Sequence, residues 1–215
     1  SQCYIDINAP CYSSHAYAQE QFHKDLIICP DFNFSKWLGF DYAKTYDKII
    51  SLNLNTNPIR KFFWRGRAKG GDNYLKRASL CALSLDHPQH IDAFHAQNRN
   101  DKNYVTLEDG FKNYKYMIDP SHKGFKGRLK YLMLSGRLIF LQCHIHKCFY
   151  EKEMHPWKHY IPLEPDFSDL IEKFHWAESH PEECDEIINR TLSYAKKTFR
   201  INNINLLWRT ILNGY

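Results

Sequence analysis

The 215 residues include 43 % apolar and 25 % charged side chains, with 14 Tyr, 14 Phe and 5 Trp, which excludes a disordered chain and supplies a core for one large domain. No apolar run approaches the ~20 residues that a bilayer-crossing helix needs. The net charge of +5 is modest and suits an anionic small molecule, a membrane surface or a nucleic acid equally.

Asp25–Cys29 is a short apolar run stopped by Pro30 and predicts a buried strand. Tyr42–Leu52 predicts a helix before the Asn-rich turn Asn53–Pro58, and Phe62–Trp64 a second strand ended by the basic turn Arg65–Gly71. A helix over Asn73–Leu85, a strand over Ile91–Phe94, the polar loop Asn98–Asn103 and a strand over Tyr114–Ile118 follow. Phe125, Leu129, Leu132 and Met133 fall on one face of a 3.6-residue period, so the next helix runs up to Ser135-Gly136. Leu138–Gln142 is a continuous apolar strand. The tail is helical over Ser168–Glu178, from Pro181 through Ala195, and over Ile204–Leu212. Strands alternating with helices predict an α/β protein with a parallel sheet, whose ligands sit beyond the carboxyl ends of the strands.

Four segments can carry chemistry. In Lys61–Gly71 two arginines, a lysine and three glycines stand between a strand and a helix. Glycine lets backbone approach a ligand, arginine forks onto phosphate oxygens, and a helix start adds N–H donors. The alternative is a solvated basic turn. Tyr114-Lys115-Tyr116 with Gly124, Gly127, Arg128 and Lys130 repeats that pattern, against a plain polar helix face. Pro156–Pro162 brackets aromatic residues between prolines and reads as extended and stiff. Beyond it Ser168 is placed as a helix N-cap, with Asp166 and Asp169 favouring the helix start. Cys143-His144-Ile145-His146-Lys147-Cys148 resembles a metal site, but no second Cys/His pair supplies further ligands and strand alternation splits these ones.

Seven scattered cysteines with no CxxC pair argue for reduced thiols rather than a disulfide framework. The sequons at Asn33 and Asn189 point the other way. No Asp-x-Asp triplet, nucleophile elbow, phosphate-loop signature or His-Glu-x-x-His occurs. Any diphosphate would be met by Arg, Lys and helix N-termini.

Taken together in order, Ile28–Phe32 with Trp37, Phe63-Trp64-Arg65-Gly66 with Arg77, and Tyr114-Lys115-Tyr116 resemble glycosyltransferase family 90. Gly127–Lys130, Ser135-Gly136, Pro156–Pro162 with Ser168-Asp169-Leu170, and Leu207-Trp208 extend the resemblance over nearly the whole chain. It implies a GT-B-like fold with a Rossmann-type parallel sheet flanked by helices and an incomplete N-terminal half. The corresponding division is a remnant of that half over 1–52, a donor-binding domain over 53–200 and a C-terminal helix over 201–215 that packs back on the first half.

The implied activity is inverting transfer of a hexose or pentose from a UDP-sugar to a saccharide or lipid-linked saccharide, without metal or other cofactor. Arg65, Gly66, Arg77 and Arg128 would line the diphosphate and Lys115 would support it. The carboxylate base of an inverting reaction falls upstream of His23–Phe32 by this resemblance, where Asp6 is the candidate in the chain.

Compared with the eukaryotic members, Ala78 stands in an acidic position and Asp119–Lys123 replaces a glycine-rich loop. These departures direct the expectation to the bacterial lipopolysaccharide branch, cytoplasmic and in peripheral contact with an anionic membrane; a eukaryotic member would lie in the ER or Golgi lumen. Two other readings stay open. One is a silent family member that binds saccharide or a partner. The other is a nucleic-acid module with Tyr104, Tyr114, Tyr116 and Tyr131 as platform beside Lys112, Lys115 and Lys126, which the acidic stretch Glu151–Glu186 opposes.

Overall fold

The computed structural model describes residues 11–13, 16–17, 26–30, 34, 36–37, 40–67, 72–120, 127–142 and 146–213. At its centre lie five parallel strands, β1 (Ile59–Gly66), β2 (Ile91–His95), β3 (Tyr114–Asp119), β4 (Leu138–Gln142) and β5 (Ile161–Leu163). They stand in the order β5-β4-β3-β1-β2. Helices α1 (Tyr42–Ile50), α2 (Asp72–Asp86), α3 (Leu107–Asn113) and α4 (Leu129–Leu134) alternate with the first four strands, and α5 (Leu170–Ser179), α6 (Pro181–Thr198) and α7 (Ile201–Asn213) close the chain. The protein is thus α/β with a Rossmann-type parallel sheet.

Side chains alternate across a pleated sheet, so an apolar run feeds two cores at once. Phe62, Trp64, Tyr116, Ile118, Leu138 and Phe140 enter the core covered by α2, α5 and the start of α6. Phe63, Met117, Ile139 and Leu141 enter the opposite core, beneath α1, α3, α4 and the end of α6. Local chemistry sets the element ends. Asp41 caps α1 by accepting from the Lys44 amide at 3.2 Å. Pro181 opens α6, whose first turn carries Glu182 and Glu183 and whose last carries Lys196 and Lys197, charges that suit the helix dipole. Gly136, at φ +69°, makes the left-handed step from α4 to β4.

Three expectations change. The sequence reading assigns no element between Asn103 and Tyr114, yet α3 forms there, with Thr106 Oγ1 accepting from the Asp109 amide at 3.0 Å. Pro156–Pro162 is not extended throughout. It turns tightly, with Trp157 N–H donating to Tyr160 O at 2.8 Å and His159 N–H to His155 O at 3.0 Å, and Trp157 sits at φ +62°. Proline restricts only its own φ and its predecessor, so those bonds can close a turn before β5. Finally Asp169, not Ser168, is the residue at the N-cap of α5. Its carboxylate accepts from the Glu164 amide and pairs with Lys173, while Ser168 N–H bonds Asp166. Residues Asp25, Phe125 and 143–145 fall outside the described residues.

Gly110 lies in α3 directly against the Phe63 ring, and a Cβ there would overlap that ring. Gly110→Ala should therefore lower the unfolding free energy by about 1–3 kcal/mol through overpacking, despite the better helix propensity of alanine. Denaturant titration reads this directly; a variant as stable as the wild type would show that Phe63 yields freely.

Candidate functional site

In this strand order the chain moves outward in one direction from β1 to β2 and in the other from β3 through β4 to β5. The first crossover helix, α2, packs on one face and α4 on the other, so a crevice opens where the carboxyl ends of β1 and β3 part. The ladder between these strands ends at Phe63–Met117, whereas β1 stays paired with β2 through Gly66–His95. A cavity of about 580 Å³ occupies the opening, walled by Gly66-Arg67, Ala96–Arg99, Tyr104-Val105 and Gly127-Arg128.

The arginines here have different roles. Arg65 folds its guanidinium into the sheet, where Nη2 pairs with Asp92 at 2.6 Å and Nη1 donates to the carbonyls of Asp92 and Trp64. Its Nε donates to Asn103 O at 2.9 Å, and the group lies 5.0 Å from the Phe63 ring centre and 5.2 Å from that of Phe94. The side chain is 12 % exposed. Against the expectation of a diphosphate ligand, its charge is met by Asp92 and four of its five N–H donors are engaged, although the residue still borders the cavity.

Arg128, at the start of α4, reaches across the crevice and donates through Nη2 to the Arg65 carbonyl at 2.6 Å. Phe62 N–H and Gly66 C=O both bond toward β2, so by alternation the Arg65 carbonyl faces β3. No ladder partner remains on that side, and Arg128 satisfies it. Arg77, from α2, donates through Nη1 to Arg67 O at 3.0 Å, while its Nε is buried without a hydrogen-bond partner. The guanidinium carbons of Arg128 and Arg77 lie 5.8 and 5.9 Å from the Trp64 ring centre. Gly66 leaves room for that ring, since a Cβ would come within 2.5 Å of it.

Burial lowers the pKa of both guanidiniums. Asp119 opposes the shift in each, and Arg77 adds to it at Arg128. Arginine stays charged nonetheless. Two half-buried like charges sharing one nearby carboxylate make a place where an added anion is favoured.

Lys115 is elsewhere. It is second in β3, at the amino end of the sheet, and pairs with Glu178 at 2.8 Å. Glu178 also takes Arg60 and the Tyr116 hydroxyl. Asp6 lies outside the described residues, as do Lys69–Gly71. No group of three or more potential metal ligands converges among the described residues. The aromatic platform considered for nucleic acid does not assemble, because Tyr116 is core and Tyr114 packs on Phe63 and bonds Asp92.

Sequence reasoning missed Asp92 as the partner of Arg65, and it read the loop Asn98–Asn103 as merely polar. Asp101 builds that loop, accepting the Gln97 and Asn103 amides at 3.0 and 2.9 Å. The available signal was position: the loop follows the carboxyl end of β2, where Arg99 and Tyr104 line the cleft.

The model of glycosyl transferase family 90 matches residues 8–215. Protein O-glucosyltransferase 2 of Danio rerio is 30 % identical over 88 % of this chain and 40 % of its own length. Protein O-glucosyltransferase 3 of Homo sapiens is 28 % identical over 88 % and 39 % respectively. The chain thus spans about two fifths of the length of these curated relatives. Among solved structures, the C-terminal domain of a glycosyl transferase group 1 family protein from Francisella tularensis aligns over 72 % of this chain and 97 % of that one. Its TM-score is 0.46 at 14 % identity, too distant to add to the topology seen directly.

Tyr114 offers a pH signature. Burial, then its bond to Asp92 and that carboxylate's charge, push its phenol from 10.0 up to about 12, against the opposing Arg65 charge. Between those values the unfolded chain releases the proton that the folded one keeps. Its contribution is therefore whole below pH 10 and is lost as pH rises toward 12. Tyr114→Phe should flatten the fall of stability across that window in urea midpoints; an unchanged slope would show that Tyr114 does not titrate with folding.

Proposed function

The chain belongs to glycosyl transferase family 90, and on that premise we propose that its cleft holds the diphosphate of a UDP-sugar whose sugar passes, with inversion, to an acceptor hydroxyl. The carrying observation is Arg128 on the cavity wall at the strand switch point, with Arg77, which lies behind that wall against the same Trp64 ring, adding positive charge to it. Breaking the glycosidic bond places negative charge on the departing nucleoside diphosphate. Cations held in position and partly withdrawn from water stabilise that charge without reorganising. Gly66 lets the ligand approach the backbone at the strand end, and Arg67 and Arg99, both exposed, supply further positive potential at the mouth. Tyr104, 38 % exposed on the cavity wall, gives the nucleoside an aromatic face. Arg65 serves this site as a brace rather than as a ligand, and Lys115 has no part in it.

The acceptor is proposed to be a saccharide, as the resemblance to the lipopolysaccharide branch suggests. The names of the vertebrate relatives favour a second reading, in which a protein hydroxyl receives the sugar. On either reading the acceptor proton needs a carboxylate base.

With UDP at millimolar concentration and a chelator present, the melting temperature of the wild type should rise by mass action. Arg128→Ala should remove the rise while leaving the ligand-free melting curve cooperative, and Lys115→Ala should keep it. Unchanged UDP stabilisation in Arg128→Ala would rule out this assignment of the diphosphate site.

A further inference from the structure

The bonds around Arg65 lead beyond its own side chain. Its carbonyl points into the widening crevice, and Gly66, the next residue, puts little steric restraint on the intervening peptide. The ladder to β2, which runs on through Gly66, turns that carbonyl toward β3, and the Arg65 side chain braces the strand end that carries it. It does so by returning to its own strand at Trp64 O, to β2 at Asp92 O and Oδ1, and to the far loop at Asn103 O. Asp92 is in turn gripped from β3, because the Tyr114 hydroxyl donates to its other carboxylate oxygen. Tyr114 itself rests on Phe63, with ring centres 4.5 Å apart. One carboxylate thus joins β1, β2 and β3 just beneath the place where β1 and β3 separate.

Resting on the nucleotide reading above, we propose that Asp92 and Tyr114 are positioning residues for donor binding. They lock Arg65 so that its main-chain carbonyl holds the Arg128 guanidinium over the cleft. Neither residue lines the cavity, so neither acts by touching the donor. The same lock secures the loop that carries Arg99 and Tyr104, since Asn103 accepts from Arg65 and its side-chain amide donates to His95 O at 3.2 Å. A carboxamide at position 92 would leave the Arg65 charge buried and unmatched. Removing the hydroxyl at 114 would free one carboxylate oxygen and loosen the grip without breaking the ion pair.

The test measures UDP affinity by calorimetry and, without ligand, the guanidinium signals of Arg128 by nitrogen-15 NMR, in the wild type, Asp92→Asn, Tyr114→Phe and Phe174→Leu. The last variant loosens the opposite core, where Phe174 packs against Phe62, and controls for stability alone. Losing a well-aimed charge-assisted bond should weaken UDP binding about tenfold in Asp92→Asn. A partial loosening should cost about threefold in Tyr114→Phe. Both variants should broaden or shift the Arg128 signals, while Phe174→Leu keeps wild-type affinity and spectrum. If Asp92→Asn does not fold, Tyr114→Phe decides alone. Wild-type UDP affinity in a folded, destabilised Tyr114→Phe, with Arg128 signals unmoved, overturns the proposal. A wild type that binds no UDP overturns the nucleotide reading itself, an outcome visible before any variant is compared.

Discussion

A guanidinium set into the floor of a sheet must be neutralised where it stands, and the pairing of Arg65 with Asp92 meets that requirement here. Isolated buried charges cost several kcal/mol each, so neither partner would be tolerated at this depth without the other. The pair ties β1 to β2 beside their ladder, holds the loop after β2, and braces the strand end whose carbonyl Arg128 uses. Flanking rings of Phe63 and Phe94 keep water from the pair and strengthen it.

The rest of the architecture distributes two tasks between the ends of one sheet. At the amino end Glu178 gathers Arg60, Lys115 and the Tyr116 hydroxyl and ties the last turn of α5 to β1 and β3. At the carboxyl end the strands diverge and the charges are left only partly compensated. The midsection is apolar on both faces, with Trp64, Tyr116 and Phe140 in one core and Phe63, Met117 and Leu141 in the other. A cationic cleft can persist at one rim because the neighbouring layers are so densely packed.

Much of this was legible in the sequence for identifiable reasons. Leu138–Gln142 is buried at every position and bounded by Gly136, so its apolar run gave both its type and its limits. Helix α3 escaped notice because Gly110 sits at its centre and it spans under two turns, and its formation depends on Phe63 filling the space that glycine leaves. Arg65 and Arg128 are alike as letters. What separates them is a carboxylate 27 positions away in one case and a backbone carbonyl 63 positions away in the other, and no local pattern carries that difference. Lys115 was more readable than it was read. In a parallel strand the second residue lies at the amino end, away from the side where ligands bind.

Because β1 lies inside the sheet but comes first among its strands, both of its neighbours are made after it. During synthesis Ile59–Gly66, with Phe62, Phe63 and Trp64 in succession, waits for Ile91–His95 on one edge and for Tyr114–Asp119 on the other. At a ribosomal pace of about 5–20 residues per second that delay lasts on the order of seconds. Through that interval the most aromatic strand of the domain is an uncovered, sticky edge. The yield of soluble protein should thus depend less on the stability of the finished sheet than on what shelters this one segment while the ribosome completes its partners.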